Sequence, residues 1–172
     1  MNYSAIKYCD IANGTGIRTV LFVSGCRNHC EGCFQPETWS FAYGRPFTGA
    51  EQAEILRSLE PDYIRGLTLL GGDPFEPENQ AGLFPFIREV KGRFPKKDIW
   101  AYTGYVLERD FVPGGQCHTD ITREFLEQID VLVDGPFLLE QKDISLKFKG
   151  SANQRIIDCM HYCKTGEILE IG

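Results

Sequence analysis

Four times along this 172-residue chain a short apolar run stops at a polar or glycine-rich cluster. Thr19-Val20-Leu21-Phe22-Val23 ends at Ser24-Gly25, directly before Cys26. Leu67-Thr68-Leu69-Leu70 runs into Gly71-Gly72-Asp73-Pro74. Asp98 to Tyr102 ends at Thr103-Gly104, and Val131-Leu132-Val133 at Asp134-Gly135-Pro136. Apolar runs without alternation fit strands covered on both faces, as in parallel sheets. Helical stretches lie between them. Thr48 and Glu51 make a capping box that opens a helix through about Leu59. Residues 77–94 place Leu83, Phe86, Ile87 and Val90 on one helical face, with Pro85 a local weakness. Residues 120–129 turn Ile121, Phe125 and Leu126 inward. Shorter β-like pieces follow at 155–158 and 167–171.

Strand, loop and helix in repetition predict an α/β fold with a mostly parallel sheet. A complete eight-unit barrel takes about 250 residues. This chain supports about five to six β/α units, so the expectation is an incomplete, partial TIM-type barrel with an open side. No linker, repeat or low-complexity segment divides it, and residues 1–172 read as one domain. Each polar cluster follows a strand, and strand carboxyl ends are where α/β folds assemble sites.

The first cluster is the most specific. Cys26-Arg27-Asn28-His29-Cys30-Glu31-Gly32-Cys33 is a C-x3-C-x2-C loop without a fourth cysteine beside it. An iron–sulfur cubane used for electron transfer has a thiolate on each of its irons. Three thiolates leave one iron open, as catalytic metal sites leave a position for substrate. The seven cysteines come without an apolar leader in Met1–Asp10, so a reducing cytoplasm is the expected setting. Lys and Arg number 18 against 24 Asp and Glu, a net charge of −6. That balance argues against nucleic acid and anionic membrane as partners. No run reaches the length of a membrane-spanning helix.

The cysteine loop after the first strand resembles the radical S-adenosylmethionine (SAM) superfamily. Further motifs narrow the match: Asp10-Ile11-Ala12-Asn13-Gly14-Thr15-Gly16-Ile17-Arg18, Gly32, Glu37-Thr38-Trp39, Gly71-Gly72-Asp73-Pro74, Tyr102-Thr103-Gly104-Tyr105, Asp134-Gly135-Pro136-Phe137 and Ser151-Ala152-Asn153-Gln154-Arg155. Together they resemble the activating-protein family of anaerobic ribonucleoside-triphosphate reductase. The chain departs from it at Gln35, where the family usually carries Asn.

The resemblance implies that Cys26, Cys30 and Cys33 hold a 4Fe–4S cluster. SAM would occupy the open iron and be cleaved reductively to a 5′-deoxyadenosyl radical. That radical would install a glycyl radical on the anaerobic reductase, with flavodoxin or a similar protein donating the electron. It also implies SAM contacts from Gly71, Gly72 and Asp73 at the ammonium, from Thr103 and Asp134 at other polar groups, and from Phe34 against the adenine. Two alternatives stand beside it. One is an activase for another glycyl-radical enzyme, such as pyruvate formate-lyase. The other is a zinc-stabilised interaction module pairing Cys30 and Cys33 with Cys159 and Cys163. A zinc site of that second pair with Cys117 and His118 is a further possibility, though isolated thiols are the commoner state for such cysteines.

Overall fold

Each unbroken apolar run forms a strand in the computed structural model, which describes all 172 residues. The strands are β1 (Asn2–Asp10), β2 (Ile17–Val23), β3 (Arg45–Pro46), β4 (Ile64–Gly71), β5 (Asp98–Tyr102), β6 (Val131–Asp134) and β7 (Arg155–Asp158). All seven join one sheet in the order β3-β1-β2-β4-β5-β6-β7. The central strands β2, β4, β5 and β6 are parallel. The outer pairings, β3 with β1, β1 with β2 and β6 with β7, are antiparallel.

The helices are α1 (Gly49–Ser58), α2 (Pro77–Arg93), α3 (Leu107–Asp110), α4 (Thr122–Leu126) and α5 (Cys159–Thr165). Thr48 and Glu51 close the expected capping box at the start of α1. Pro85 does not break α2. It and Ala81, whose carbonyl loses its helical partner there, lie on the solvent side, where water can satisfy that oxygen.

The parallel strands follow chain order without reversal. Right-handed crossovers then put every connection on one face of the sheet. The side chains agree. Leu21, Leu69, Ala101, Leu132 and Ile157 stand in register across five strands. They belong to a core of 26 buried residues that includes Ile55 and Leu59 of the α1 region, Leu83, Phe86, Ile87 and Val90 of α2, and Phe125 and Leu126 of α4. Phe22, Leu70, Trp100, Tyr102 and Val133 alternate with that row and face the other way.

Arg18 fills this second face at the amino ends of the strands. It is fully buried, pairs with Asp98 at 2.6 Å, donates to Thr68 Oγ1 at 2.7 Å and to the Thr15 carbonyl at 3.0 Å, and lies over Trp100. The face is therefore closed at one end and open at the carboxyl ends.

The expected five to six β/α units reduce to three helical crossovers, β2 to β4, β4 to β5 and β5 to β6. The reason lies at both ends of the chain. Residues 155–158 do form a strand, but it returns antiparallel. Residues 167–171 reach the sheet only through a bridge between Glu170 and Ile157. The polar segment 2–10, unread as a strand, is β1. It is half-exposed and bulged, with Cys9 at φ 55°, so its sequence lacks an unbroken apolar run. The helix expected over 120–129 is confined to α4. No helix is long and apolar enough to cross a membrane.

Candidate metal and cofactor site

Val23 is the last residue of β2, and the chain then leaves the sheet for a loop whose base is tied shut. Gly25 N–H donates to the Thr38 carbonyl at 2.7 Å, and Cys26 N–H to the Trp39 carbonyl at 3.1 Å. The loop after β4 is pressed against it. Gly72 N–H donates to the Val23 carbonyl at 2.7 Å and Asp73 N–H to the Gly25 carbonyl at 2.8 Å. Gly71 has φ 109°, and a Cβ on Gly72 would sit 2.5 Å from the Gly25 oxygen. Only glycine permits that approach.

Cys26, Cys30 and Cys33 all line one cavity of about 360 Å³ at the strand carboxyl ends. Its wall continues through Phe22, Phe34, Leu70, Gly71, Gly72, Asp73, Tyr102, Thr103, Gly104 and Phe137. That volume lies in the range of small-ligand sites. A second cavity of about 430 Å³ adjoins it and shares Phe34, Tyr102 and Phe137. Phe34, 65% exposed, tilts against Phe137 at 5.1 Å and forms the rim.

Asp73 is 1% exposed. Its carboxylate accepts from Phe75 N–H at 2.9 Å, Thr103 Oγ1 at 2.9 Å, Gly104 N–H at 2.9 Å and Asn28 Nδ2 at 3.0 Å. It thus joins the loops after β2, β4 and β5. No salt bridge neutralises it. Burial pushes the pKa of its carboxyl up to about 7, against the pull of those donors.

Asp134 is the one expected contact that the structure turns away. Its carboxylate accepts from Leu107 N–H at 2.9 Å and from Arg155 at 2.9 and 2.6 Å, and only the next residue, Gly135, lines the cavity. Val133 faces the cavity side of the sheet, so alternation sends Asp134 toward the helices.

Burial, with Asp73 nearby, pushes the Cys26 thiol up to about 12, and burial also raises Cys30. Such groups hold their protons until a metal centre displaces them. N–H donors already address the sulfurs: Gln35 N–H lies 3.4 Å from Cys33 Sγ, and Asn28 Nδ2 lies 3.7 Å from Cys26 Sγ. No set of three or more Cys, His, Asp or Glu side chains converges closely enough to hold a single ion. The three thiols instead line one wall of the cavity.

The second cysteine pair of the zinc module stands elsewhere: Cys159 is buried in the core on the helix-covered side and Cys163 packs against that core, while Cys30 and Cys33 line the cavity. Cys117 is buried in the same core. Cys117 Sγ donates to the Asp110 carbonyl at 3.2 Å.

Three buried polar atoms of cavity-lining residues lack any partner in the chain: Tyr102 Oη, Gln35 Oε1 and Trp39 Nε1. Buried polar groups are otherwise nearly always bonded. These orphans, the three thiols and Asp73 without a cationic partner share one cavity wall. Sequence reasoning passed over Tyr102. Its position as the last strand residue, alternating with Ala101, was the available signal.

A family model described as a 4Fe-4S single cluster domain matches residues 12–157. The chain is 44% identical over 165 residues to the anaerobic ribonucleoside-triphosphate reductase-activating protein of Pasteurella multocida, across 94% of this chain and all of that protein. It belongs to that family. The protein of the same name from Enterobacteria phage T4 is 42% identical, over 91% of this chain and 93% of its own. That of Escherichia coli K12 is 40% identical, over 90% and 96%. The family match spans the cysteine loop, the strand-end loops after β4 and β5, and β6, so it covers every cavity-lining residue except Lys7 of β1.

Proposed function

We propose that the chain is a radical SAM activase of anaerobic ribonucleoside-triphosphate reductase, built on a partial, open-sided barrel. One observation carries the reading. The cavity wall supplies three thiols from one loop and neither a fourth cysteine nor a histidine. A 4Fe–4S cluster on Cys26, Cys30 and Cys33 would keep one iron free for SAM. Bound together, cluster and SAM would supply one-electron cleavage of the sulfonium S–C5′ bond, the chemistry needed to take a hydrogen atom from a glycine Cα of the reductase.

The residues divide the remaining work. Cleaving a sulfonium needs a potential near the low end of the range of about −700 to +450 mV open to such clusters, and hydrogen bonds to sulfur are one lever on it. Asn28 and Gln35 hold donors at that distance. Asp73 lacks a cation, which the SAM ammonium would provide. Gly71, Gly72 and Thr103 form the adjoining wall, and Phe34 with Phe137 would cover the adenine. Gly135 replaces Asp134 in this set. The orphaned oxygen and nitrogen atoms of Tyr102, Gln35 and Trp39 supply further polar contacts. The exposed apolar rim of Phe34, Leu139 and Ile144 leaves room for a loop of the protein substrate. Electrons would come from flavodoxin or a similar donor in the cytoplasm.

The test is anaerobic reconstitution. The protein should turn brown, bleach with dithionite, and convert SAM to methionine and 5′-deoxyadenosine. Mixed with anaerobic reductase, it should produce a glycyl-radical EPR doublet on that protein and none on pyruvate formate-lyase. A colourless product, or SAM left intact by the reduced protein, would end the reading; a doublet only on the lyase would move it to the other activase.

A further inference from the structure

Arg27 stands between the first two cluster cysteines, and its bonds lead away from the cavity. Its backbone N–H donates to Glu76 Oε1 at 2.6 Å, and its guanidinium pairs with the other oxygen of Glu76. The same guanidinium bonds Glu78 at 2.9 Å and lies 4.5 Å from the Phe41 ring centre. Glu76 has no exposed surface. It precedes Pro77, the first residue of α2, yet its side chain makes no capping bond to that helix. Its remaining donor is the Tyr105 hydroxyl at 2.8 Å, from the loop after β5.

A buried carboxylate at a helix start would ordinarily serve its own helix. This one is committed to the cysteine loop. The distinction from Asp73 is informative, because Asp73 lines the cavity and Glu76 does not. The only bonds of Glu76 to the cysteine loop run to the Arg27 backbone and guanidinium. The Arg27–Glu78 pair is exposed and contributes little by itself. The Glu76 bonds are different, since a buried carboxylate is costly unless its partners stay in place. The energy that keeps Glu76 satisfied therefore also holds the Cys26–Cys30 span.

We propose that Glu76 is a positioning residue for the metal site, fixing Arg27 and thereby the Cys26–Cys30 span in its ligating shape before any cluster is bound. The inference rests on the reading of the three cysteines as cluster ligands, but its test begins without metal. Hydrogen exchange is followed in the metal-free protein for wild type, Glu76→Gln and Arg27→Met. Amides of residues 26–31 should exchange about tenfold faster in Glu76→Gln, the scale of one weakened charge-assisted bond, while those of β4 and β5 keep their wild-type rates. After anaerobic loading, iron per chain should match wild type, and its loss to a chelator should be several-fold faster. Arg27→Met should shift both readouts in the same direction.

Wild-type loop exchange and iron loss in both variants would overturn the proposal. So would faster exchange spread evenly through β4 and β5, the mark of a merely structural role. Wild-type protein that takes up no iron would instead defeat the cluster assignment, and the metal-free exchange would still decide whether Glu76 holds the loop.

Discussion

On the helix-covered side of the sheet, Leu21, Leu69, Ala101, Leu132 and Ile157 form an unbroken buried row, and the helices complete it with apolar side chains. On the other side the same strands present Phe22, Leu70 and Tyr102 to a cavity walled by thiols and an unneutralised carboxylate. The first face satisfies itself. The second is unfinished at its carboxyl end, although Arg18 seals its amino end with four strong polar contacts. Buried polar atoms without partners are what a face reserved for a ligand would carry, and three of them line this cavity.

The sharpest way to break this contrast is Cys26→Ala. If the open face is functional and the closed face structural, the variant loses SAM cleavage altogether. Its metal-free unfolding temperature should stay close to wild type, because Cys26 belongs to neither apolar cluster. Retained turnover, measured as 5′-deoxyadenosine formed under dithionite, would remove Cys26 from the ligand set. Leu69→Ala probes the opposite side. Leu69 is fully buried at the centre of the row, so the variant should lose about 2–5 kcal/mol of unfolding free energy in a denaturant titration of the metal-free protein. SAM affinity of its folded fraction should not change. A loss of affinity comparable to the loss of stability would mean that the two faces are coupled.

How much of this contrast was legible beforehand depends on what each residue's signal is made of. The buried strands and the cysteine loop are local patterns, an unbroken apolar run and a fixed spacing, and both survive folding as read. β1 is polar, half-exposed and bulged, so it acquires strand character only by pairing with β2. The placement of Asp134 and Tyr102 was not legible, for one reason. Both end strands, and a motif gives position along a strand but not the face. Alternation from Val133 and Ala101 supplies the face: it turns Asp134 toward Arg155 and Tyr102 toward the cavity. The clamp at Glu76 was not legible, because its partner Arg27 lies 49 positions away and nothing local links them.

Asp73 sharpens the comparison through pH. Burial raises its carboxyl from 3.8 to about 7, so between those values the folded metal-free protein binds a proton that the unfolded chain has released. The stability this group contributes is full below about pH 4 and is lost as the pH rises through about 7. Unfolding free energies of wild type should therefore fall from pH 5 to pH 8 by more than those of Asp73→Asn. Identical slopes would show that the carboxylate is stabilised by something other than its hydrogen bonds. Saturating SAM, if its ammonium supplies the missing cation, should flatten the wild-type slope and leave that of the variant unaltered.

Tyr102→Phe gives the smallest effect and separates the faces most finely. The hydroxyl is buried without a partner, and burial pushes its pKa up, further from the physiological range, so it acts as a neutral donor or acceptor. Deleting it removes an unsatisfied polar atom from the metal-free protein, so stability should hold or rise slightly. In the loaded enzyme the same deletion removes a contact, and SAM should bind about three- to tenfold more weakly, the equivalent of one ordinary hydrogen bond of roughly 1 kcal/mol. Opposite signs from one oxygen atom would identify Tyr102 as part of the ligand site, since a packing residue loses stability and affinity together. Equal SAM affinity in the two proteins would return Tyr102 to the wall of the fold and leave the proposed site to its other lining residues.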